Sequence, residues 1–350
     1  MNDTTPHPAS VHPPAPAAGR HEAVALWTVA PGAGELRPVL VPPPGDGEAS
    51  VRTLWTGVSR GTEALVARGD VPVAEHHRMR APFQAGDFPF PVKYGYLNVG
   101  VVEQGPAGLE GRTVFTLFPH QSCFTAPIEA LVVVPASVPA RRAVLAGTVE
   151  TAVNVLWDAA PRVGDRIVVI GAGPVGAAIA ALSRGIPGVQ VTLVDVDATK
   201  AAIADALGVR FAPSAGGPDG AGPEVVPDVV IEASGSGAGL RTALRVAPTD
   251  GEVIVASWYG SRPVPLELGA DFHSRRLTIR ASQVGAVALS RRGRRTTTER
   301  LTLALRLLED PVFDALLGGT TPWSDLPEVI AALADGTADP LCHTIDWSRA

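Results

Sequence analysis

Two hydrophobic patterns divide the chain at about residue 140. Before that point, short apolar runs are separated by Gly and Pro: Val24–Val29, Leu36–Val41, Val51–Val58, Val99–Gln104 and Ala130–Val134. Runs of this length bounded by turn residues predict strands. Pro38 lies inside the second run and has no N–H for a ladder bond, so that strand is expected at a sheet edge. The stretch up to Val134 therefore predicts an irregular all-β region with loops. Beyond residue 140 the period changes. Ala143–Trp157 has helical apolar spacing, and strand-like runs then alternate with helical ones: Arg166–Ile170, Val175–Arg184, Gln190–Asp195, Thr199–Leu207, Asp228–Glu232, Gly251–Ser257 and Leu277–Ser282. Gly208 follows as a C-cap. Such alternation predicts a parallel sheet covered by helices. Two amphipathic helices, Thr298–Glu309 and Ser324–Ala334, and a closing strand, Leu341–Ile345, complete the pattern. The Pro-, Ala- and His-rich start, with His7 and His12, has no apolar period and predicts a disordered tail over residues 1–22.

Composition narrows the function classes. A chain of 350 residues suits two domains, and a hydrophobic fraction of 46% supplies a core and excludes global disorder. The net charge of −6, with no basic stripe, argues against a nucleic-acid partner. The dense run Arg291, Arg292, Arg294, Arg295 reads as a solvated loop or as a phosphate or carboxylate contact. No stretch approaches the roughly 18 continuous apolar residues of a membrane span, and no basic segment followed by an apolar run opens the chain. A soluble, cytoplasmic protein is expected. The two cysteines, Cys123 and Cys342, cannot build a four-thiolate zinc site.

After the strand Arg166–Ile170 comes Gly171-Ala172-Gly173-Pro174-Val175-Gly176, a GxGxxG motif between a predicted strand and a predicted helix. The first glycine permits the tight turn. The second lets the backbone approach a pyrophosphate, and the third lets helix and strand pack closely. The helix N-terminus then offers free N–H groups to the phosphates. The next strand ends at Asp195, 19 residues after Gly176. A carboxylate there accepts both ribose hydroxyls of NAD and repels the 2′-phosphate of NADP. Lys200, five residues on, is placed to reach the same ribose. The alternative is that Asp195 caps the following helix and Lys200 is solvated.

The chain resembles the medium-chain dehydrogenase/reductase superfamily over residues 23 to 350. The motifs that carry the resemblance are Gly57-Val58-Ser59-Arg60-Gly61-Thr62-Glu63, Gly95-Tyr96-Leu97-Asn98-Val99-Gly100-Val101-Val102, Glu150-Thr151-Ala152 and the glycine motif. Within it, the chain is most similar to the hydroxyethyl bacteriochlorophyllide dehydrogenase group. The resemblance implies an α/β fold: a GroES-like β domain (23–145 and 290–350) plus a Rossmann doubly wound parallel sheet domain (146–289) that binds NAD. It also implies a homodimer joined through the last Rossmann strand. Zinc members carry Cys in the first motif where Ser59 or Arg60 stands, and Gly-His-Glu where this chain has Gly95-Tyr96-Leu97. The loop with four structural cysteines is missing. Only Glu150 falls at a ligand position, so no metal site is expected.

The same resemblance points to site residues. All three tyrosines, Tyr94, Tyr96 and Tyr259, fall at cleft positions. Tyr96 replaces the metal-binding His, so its hydroxyl either faces substrate or is a buried group satisfied by backbone. His120 either shuttles a proton or is structural. Glu150, among apolar residues, needs a partner or a raised pKa, and is a proton relay, a substrate hydroxyl acceptor or the partner of an arginine. Ser234 marks where NAD crosses the sheet edge, Trp258 borders the nicotinamide, and Gln283 and Val284 hold its carboxamide with backbone groups. Catalysis would fall to Glu150, Tyr96, His120 and Ser59. These features predict an NAD-dependent, zinc-independent hydride transfer between nicotinamide and a secondary alcohol or ketone, on a small-molecule substrate with a bulky ring. A zinc-free enoyl or quinone reductase and a catalytically inactive dinucleotide-binding protein are the alternatives. Asp195 argues against the first, because those reductases use NADPH.

Overall fold

The computed structural model describes residues 21–214, 226–338 and 341–350. His7 and His12 lie outside the described residues. Residues 21 and 22, assigned above to the tail, instead begin the strand His21–Ala30, where His21 and Glu22 pair with Val41 and Leu40.

The first part of the chain builds two sheets. One has the order Ala33–Val41, His21–Ala30, Val92–Lys93, Ala85–Gly86. The strand containing Pro38 lies at its edge, where the missing N–H costs no ladder bond. The other sheet runs Leu317–Pro322, Cys342–Asp346, Glu48–Val58, Asn98–Gln104, Thr113–Thr116, Val132–Val133, with Cys123–Pro127 paired to Glu48–Val58. The C-terminal strands thus return to the first sheet. The region expected to be all β also contains a helix, Arg60–Arg68. Its residues Glu63 to Ala67 are buried and Gly69 ends it in the left-handed conformation. At nine residues the helix is shorter than the window of about 11–18 over which a helical period can be counted.

The second part is a six-stranded parallel sheet in the order Arg210–Pro213, Gln190–Asp195, Arg166–Ile170, Val229–Glu232, Glu252–Val255, Thr278–Ala281. The strand Thr278–Ala281 forms one edge. The strand Ile167–Ile170 is apolar throughout, and Val191–Val194 is so but for the buried Thr192, because helices cover both faces. The helix Ala146–Ala159 packs on Pro174–Ser183 and Thr297–Leu307, and its buried residues join the core of this sheet to Leu97, Val99 and Phe115 of the other. One apolar core therefore runs through both halves and holds the cleft walls together.

Candidate dinucleotide site

The glycine motif sits at the carboxyl end of Arg166–Ile170, and Gly173 caps the helix Pro174–Ser183, with Pro174 in its first turn. A Cβ at Gly176 would lie 1.8 Å from the carbonyl oxygen of Gly171, so helix and turn can be this close only with glycine. A Cβ at Gly173 would meet nothing within 4 Å. That open face, beside the unbonded first-turn N–H groups of the helix, is a cradle for a phosphate. Val175, partly exposed, belongs to the same first turn.

Asp195 ends the neighbouring strand. Its Oδ2 accepts the Ala172 N–H at 2.7 Å, and its Oδ1 accepts the Asp197 N–H at 3.0 Å. The carboxylate is thereby locked against the glycine loop with free lone pairs left over. It is Asp197, not Asp195, that caps the next turn, by accepting from the Thr199 N–H at 3.0 Å. Lys200 is 5% exposed, so the solvated alternative does not hold for it.

On the other side of the glycine strand, Ser234 and Tyr259, both expected at the site, meet a residue that was not, Glu232. Glu232, fully buried at the end of Val229–Glu232, accepts the Tyr259 hydroxyl at 2.7 Å and the Ser234 N–H at 2.7 Å. Ser234 is exposed, and its hydroxyl bonds Glu232 and, at 3.0 Å, Ser236. Burial first, and then the Glu232 charge, push the Tyr259 phenol well above its ordinary pKa. A charged residue closing an apolar strand, Val229-Val230-Ile231-Glu232, was the available signal. Trp258 is partly buried and, like Tyr96, packs against the cluster of Val66, Val71, Phe88, Val92 and Tyr94. With the bond from Ser261 N–H to Asp70 O at 3.0 Å, it ties the sheet domain to the helix Arg60–Arg68 side of the cleft.

Ser59 and Tyr96 come together. Burial first, and then the Glu63 carboxylate, push the Tyr96 pKa up to about 12, while the nearby Ser59 and Thr62 hydroxyls pull the other way. The Ser59 N–H donates to Glu63 Oε1 at 2.8 Å, and Glu63 Oε2 meets His120 Nε2 at 2.9 Å. His120 Nδ1 meets the Thr56 hydroxyl at 2.7 Å, which also accepts the Trp347 indole N–H at 2.9 Å. His120 is 1% exposed and both its ring nitrogens are engaged, so the expectation of a shuttle open to the cleft meets an enclosed residue. The adjacent cavity, bordered by Thr28, Glu63, Tyr94 and His120, measures about 10 Å³, at the limit for one water. A larger groove of about 530 Å³ at Gly32, Arg68, Asp70 and Ala334 includes no residue of the glycine loop.

Glu150 lies apart from this group. Its Oε1 accepts Arg300 Nε at 3.0 Å, with both side chains almost wholly buried. Of the three roles open for Glu150, the pair with an arginine is the one seen. Gln283 is exposed, and Arg300 bonds the carbonyl of the adjacent Val284.

The residues present do not fit a zinc ion. Ser59 and Tyr96 offer neutral hydroxyls, Glu150 is taken by Arg300, and Glu63 and His120 are taken by each other. Among the described residues no three His, Cys, Asp or Glu converge. A dinucleotide does fit, since the loop keeps an open face and a carboxylate fixed beside it.

No family model matches the sequence. Solved structures do. An acetophenone reductase from Geotrichum candidum NBRC 4597, in complex with NAD, has a TM-score of 0.74 at 18% identity, covering 96% of this chain and 100% of that one. The L-idonate 5-dehydrogenase from Escherichia coli K-12 has a TM-score of 0.72 at 14% identity, covering 93% and 99%. A Sinorhizobium meliloti 1021 protein bound to NADP has 0.73 at 16%, with the same coverage. The chain therefore shares the fold of these solved dehydrogenases and reductases. The fold combines a GroES-like β part with a Rossmann sheet, and no helix among the described residues is long and apolar enough to cross a membrane.

Proposed function

We propose that this chain is an NAD-dependent oxidoreductase that works without zinc on a secondary alcohol or ketone. The observation that carries the reading is the locked Asp195 carboxylate, bonded to the Ala172 N–H inside the glycine loop at 2.7 Å. A carboxylate fixed there accepts ribose hydroxyls and repels a 2′-phosphate. When bound, NAD supplies the two-electron acceptor or donor. Gly173 and the helix N-terminus hold the pyrophosphate, and Ser234, Trp258 and the backbone at Gln283 border the far end. Tyr96, with its pKa near 12, stays protonated at neutral pH, so it donates a hydrogen bond to developing alkoxide charge and Ser59 orients it. The aromatic wall of Phe88, Tyr94, Tyr96 and Trp258 suits a ring-bearing substrate, and the name of the Geotrichum candidum neighbour also denotes a ring-bearing ketone.

Two measurements test this. In calorimetric titrations NAD(H) binds at least about tenfold more tightly than NADP(H), roughly 1.4 kcal/mol, and Asp195→Ser narrows the gap. Equal or tighter NADP(H) binding by the wild type removes the reading. On a panel of aromatic ketones, Tyr96→Phe lowers kcat by about 10², and wild-type turnover survives chelation. Turnover lost on chelation and restored by zinc contradicts the zinc-free mechanism. One observation favours a second reading, dinucleotide binding without catalysis: His120 and Glu150 are both engaged in buried pairs. NADH binding with no turnover on any carbonyl of the panel selects it.

A further inference from the structure

The loop between the strand Thr278–Ala281 and the helix Thr297–Leu307 is built of turns, and side chains from elsewhere fix it at several points. The Ser282 hydroxyl bonds Asp158 at 2.6 Å, Asn154 Oδ1 accepts the Ala288 N–H at 2.9 Å, and the Ser290 hydroxyl bonds the Trp157 carbonyl at 2.9 Å. At the centre is Arg300. Its guanidinium donates to Glu150, to Asn154, to the Ala286 carbonyl at 3.2 Å and to the Val284 carbonyl. Arg300 is 1% exposed and Glu150 4%. A buried guanidinium is expensive unless a carboxylate compensates it and its donors are used in a planar fork. Both conditions are met here, and two of the partners are loop carbonyls.

The position of the loop gives this cluster a purpose. In an open parallel sheet, ligands lie beyond the carboxyl ends of the strands, with one mononucleotide over each half. The strand Gln190–Asp195 lies on one side of the glycine strand and Thr278–Ala281 on the other. Asp195 marks the adenosine half, so residues 282–290 leave the sheet over the half that receives the second mononucleotide. We infer that Glu150 and Arg300 are positioning residues, a buried pair that sets the Val284 and Ala286 backbone against the nicotinamide end of the dinucleotide. The inference rests on the dinucleotide reading above. It gives Glu150 a task without contact with substrate.

The test compares NADH with ADP-ribose, which lacks only the nicotinamide ring. In calorimetry, Arg300→Lys keeps the charge and loses the fork. It is expected to weaken NADH about tenfold or more while leaving ADP-ribose within about twofold, since a displaced contact of ~1 Å is costly only where the contact is made. Glu150→Gln is expected to show the same split. Ser282→Ala releases the same loop from Asp158 without touching the buried pair, so it keeps the test open if Arg300→Lys does not fold. It is expected to give a smaller loss in the same direction. Losses shared equally by both ligands, or no loss for either in folded variants, overturn the inference and assign the pair to stability alone. Wild-type protein that binds neither ligand removes the dinucleotide reading and this inference with it.

Discussion

Replacing Gly176 by alanine is expected to cost both stability and cofactor affinity, whereas Gly173→Ala is expected to cost affinity alone. The added Cβ at 176 would stand 1.8 Å from the Gly171 carbonyl oxygen and 3.0 Å from its carbon. Both contacts are with backbone, so no side chain can swing aside. The helix Pro174–Ser183 must move off the strand Arg166–Ile170, against residues such as Ala177 and Ala178 that are wholly buried. Overpacking of this kind costs about 1–3 kcal/mol. The same movement carries the first-turn N–H groups away from the phosphate cradle, so NADH affinity falls by about 10² or more. At Gly173 the backbone is already ordinary, with φ −74°, and a Cβ meets nothing within 4 Å. Its methyl group would only fill the open face. Thermal unfolding and NADH titration of the two variants separate the effects. A Gly176→Ala protein with wild-type melting behaviour contradicts the packing argument, and a Gly173→Ala protein with wild-type affinity contradicts the cradle.

The sheet domain was legible in the sequence because its signals are local. The strand Gln190–Asp195 has its predicted bounds, and Gly208 adopts the left-handed C-cap, φ 68°. Both follow from neighbouring residues alone. The helix Arg60–Arg68 was not legible. It opens on Arg60-Gly61 and has only nine residues, fewer than the window of about 11–18 residues that a period needs. Short strands such as Val92–Lys93 and Ala85–Gly86 exist only through partners distant in the chain.

The site divided in the same way. Gly171 to Gly176 and Asp195 could be placed from spacing, because a dinucleotide motif is a local device. The pairings could not. Glu63 with His120 joins residues 57 apart in the chain, and Glu150 with Arg300 joins residues 150 apart. Sequence chemistry could say that Glu150 needed a partner. It could not say which of many arginines would arrive, because that is decided by the packing of Ala146–Ala159 against Thr297–Leu307. The polar candidates thus sort into two kinds: Ser59 lies close to the Tyr96 phenol, while Glu63 with His120 and Glu150 with Arg300 form buried pairs.

Arg300→Met is expected to destabilise the fold by about 3–5 kcal/mol near neutral pH, the usual cost of leaving one member of a buried ion pair alone. The size follows from burial: the two side chains are 1% and 6% exposed, so water cannot replace the lost partner. The pH dependence follows from Glu150. Burial raises its pKa above the ordinary carboxyl value, and Arg300 opposes that rise through its charge and its hydrogen bond. A carboxyl whose folded pKa is raised contributes stability below its unfolded pKa, about 4.3, and loses that contribution as the pH climbs through the folded value. Removing Arg300 leaves only the raising influence, so the folded pKa moves higher still and the penalty of ionising Glu150 grows. At pH 8 the variant must bury a bare carboxylate or unfold. At pH 5 the carboxyl takes up a proton and much of the penalty disappears. A remainder persists at any pH, because the Val284 and Ala286 carbonyls also lose their donor. Urea denaturation at pH 5 and pH 8 should therefore show a wild-type-minus-variant gap that narrows on acidification. A gap that is constant, or that widens as the pH falls, would mean that Glu150 carries no charge in the native pair.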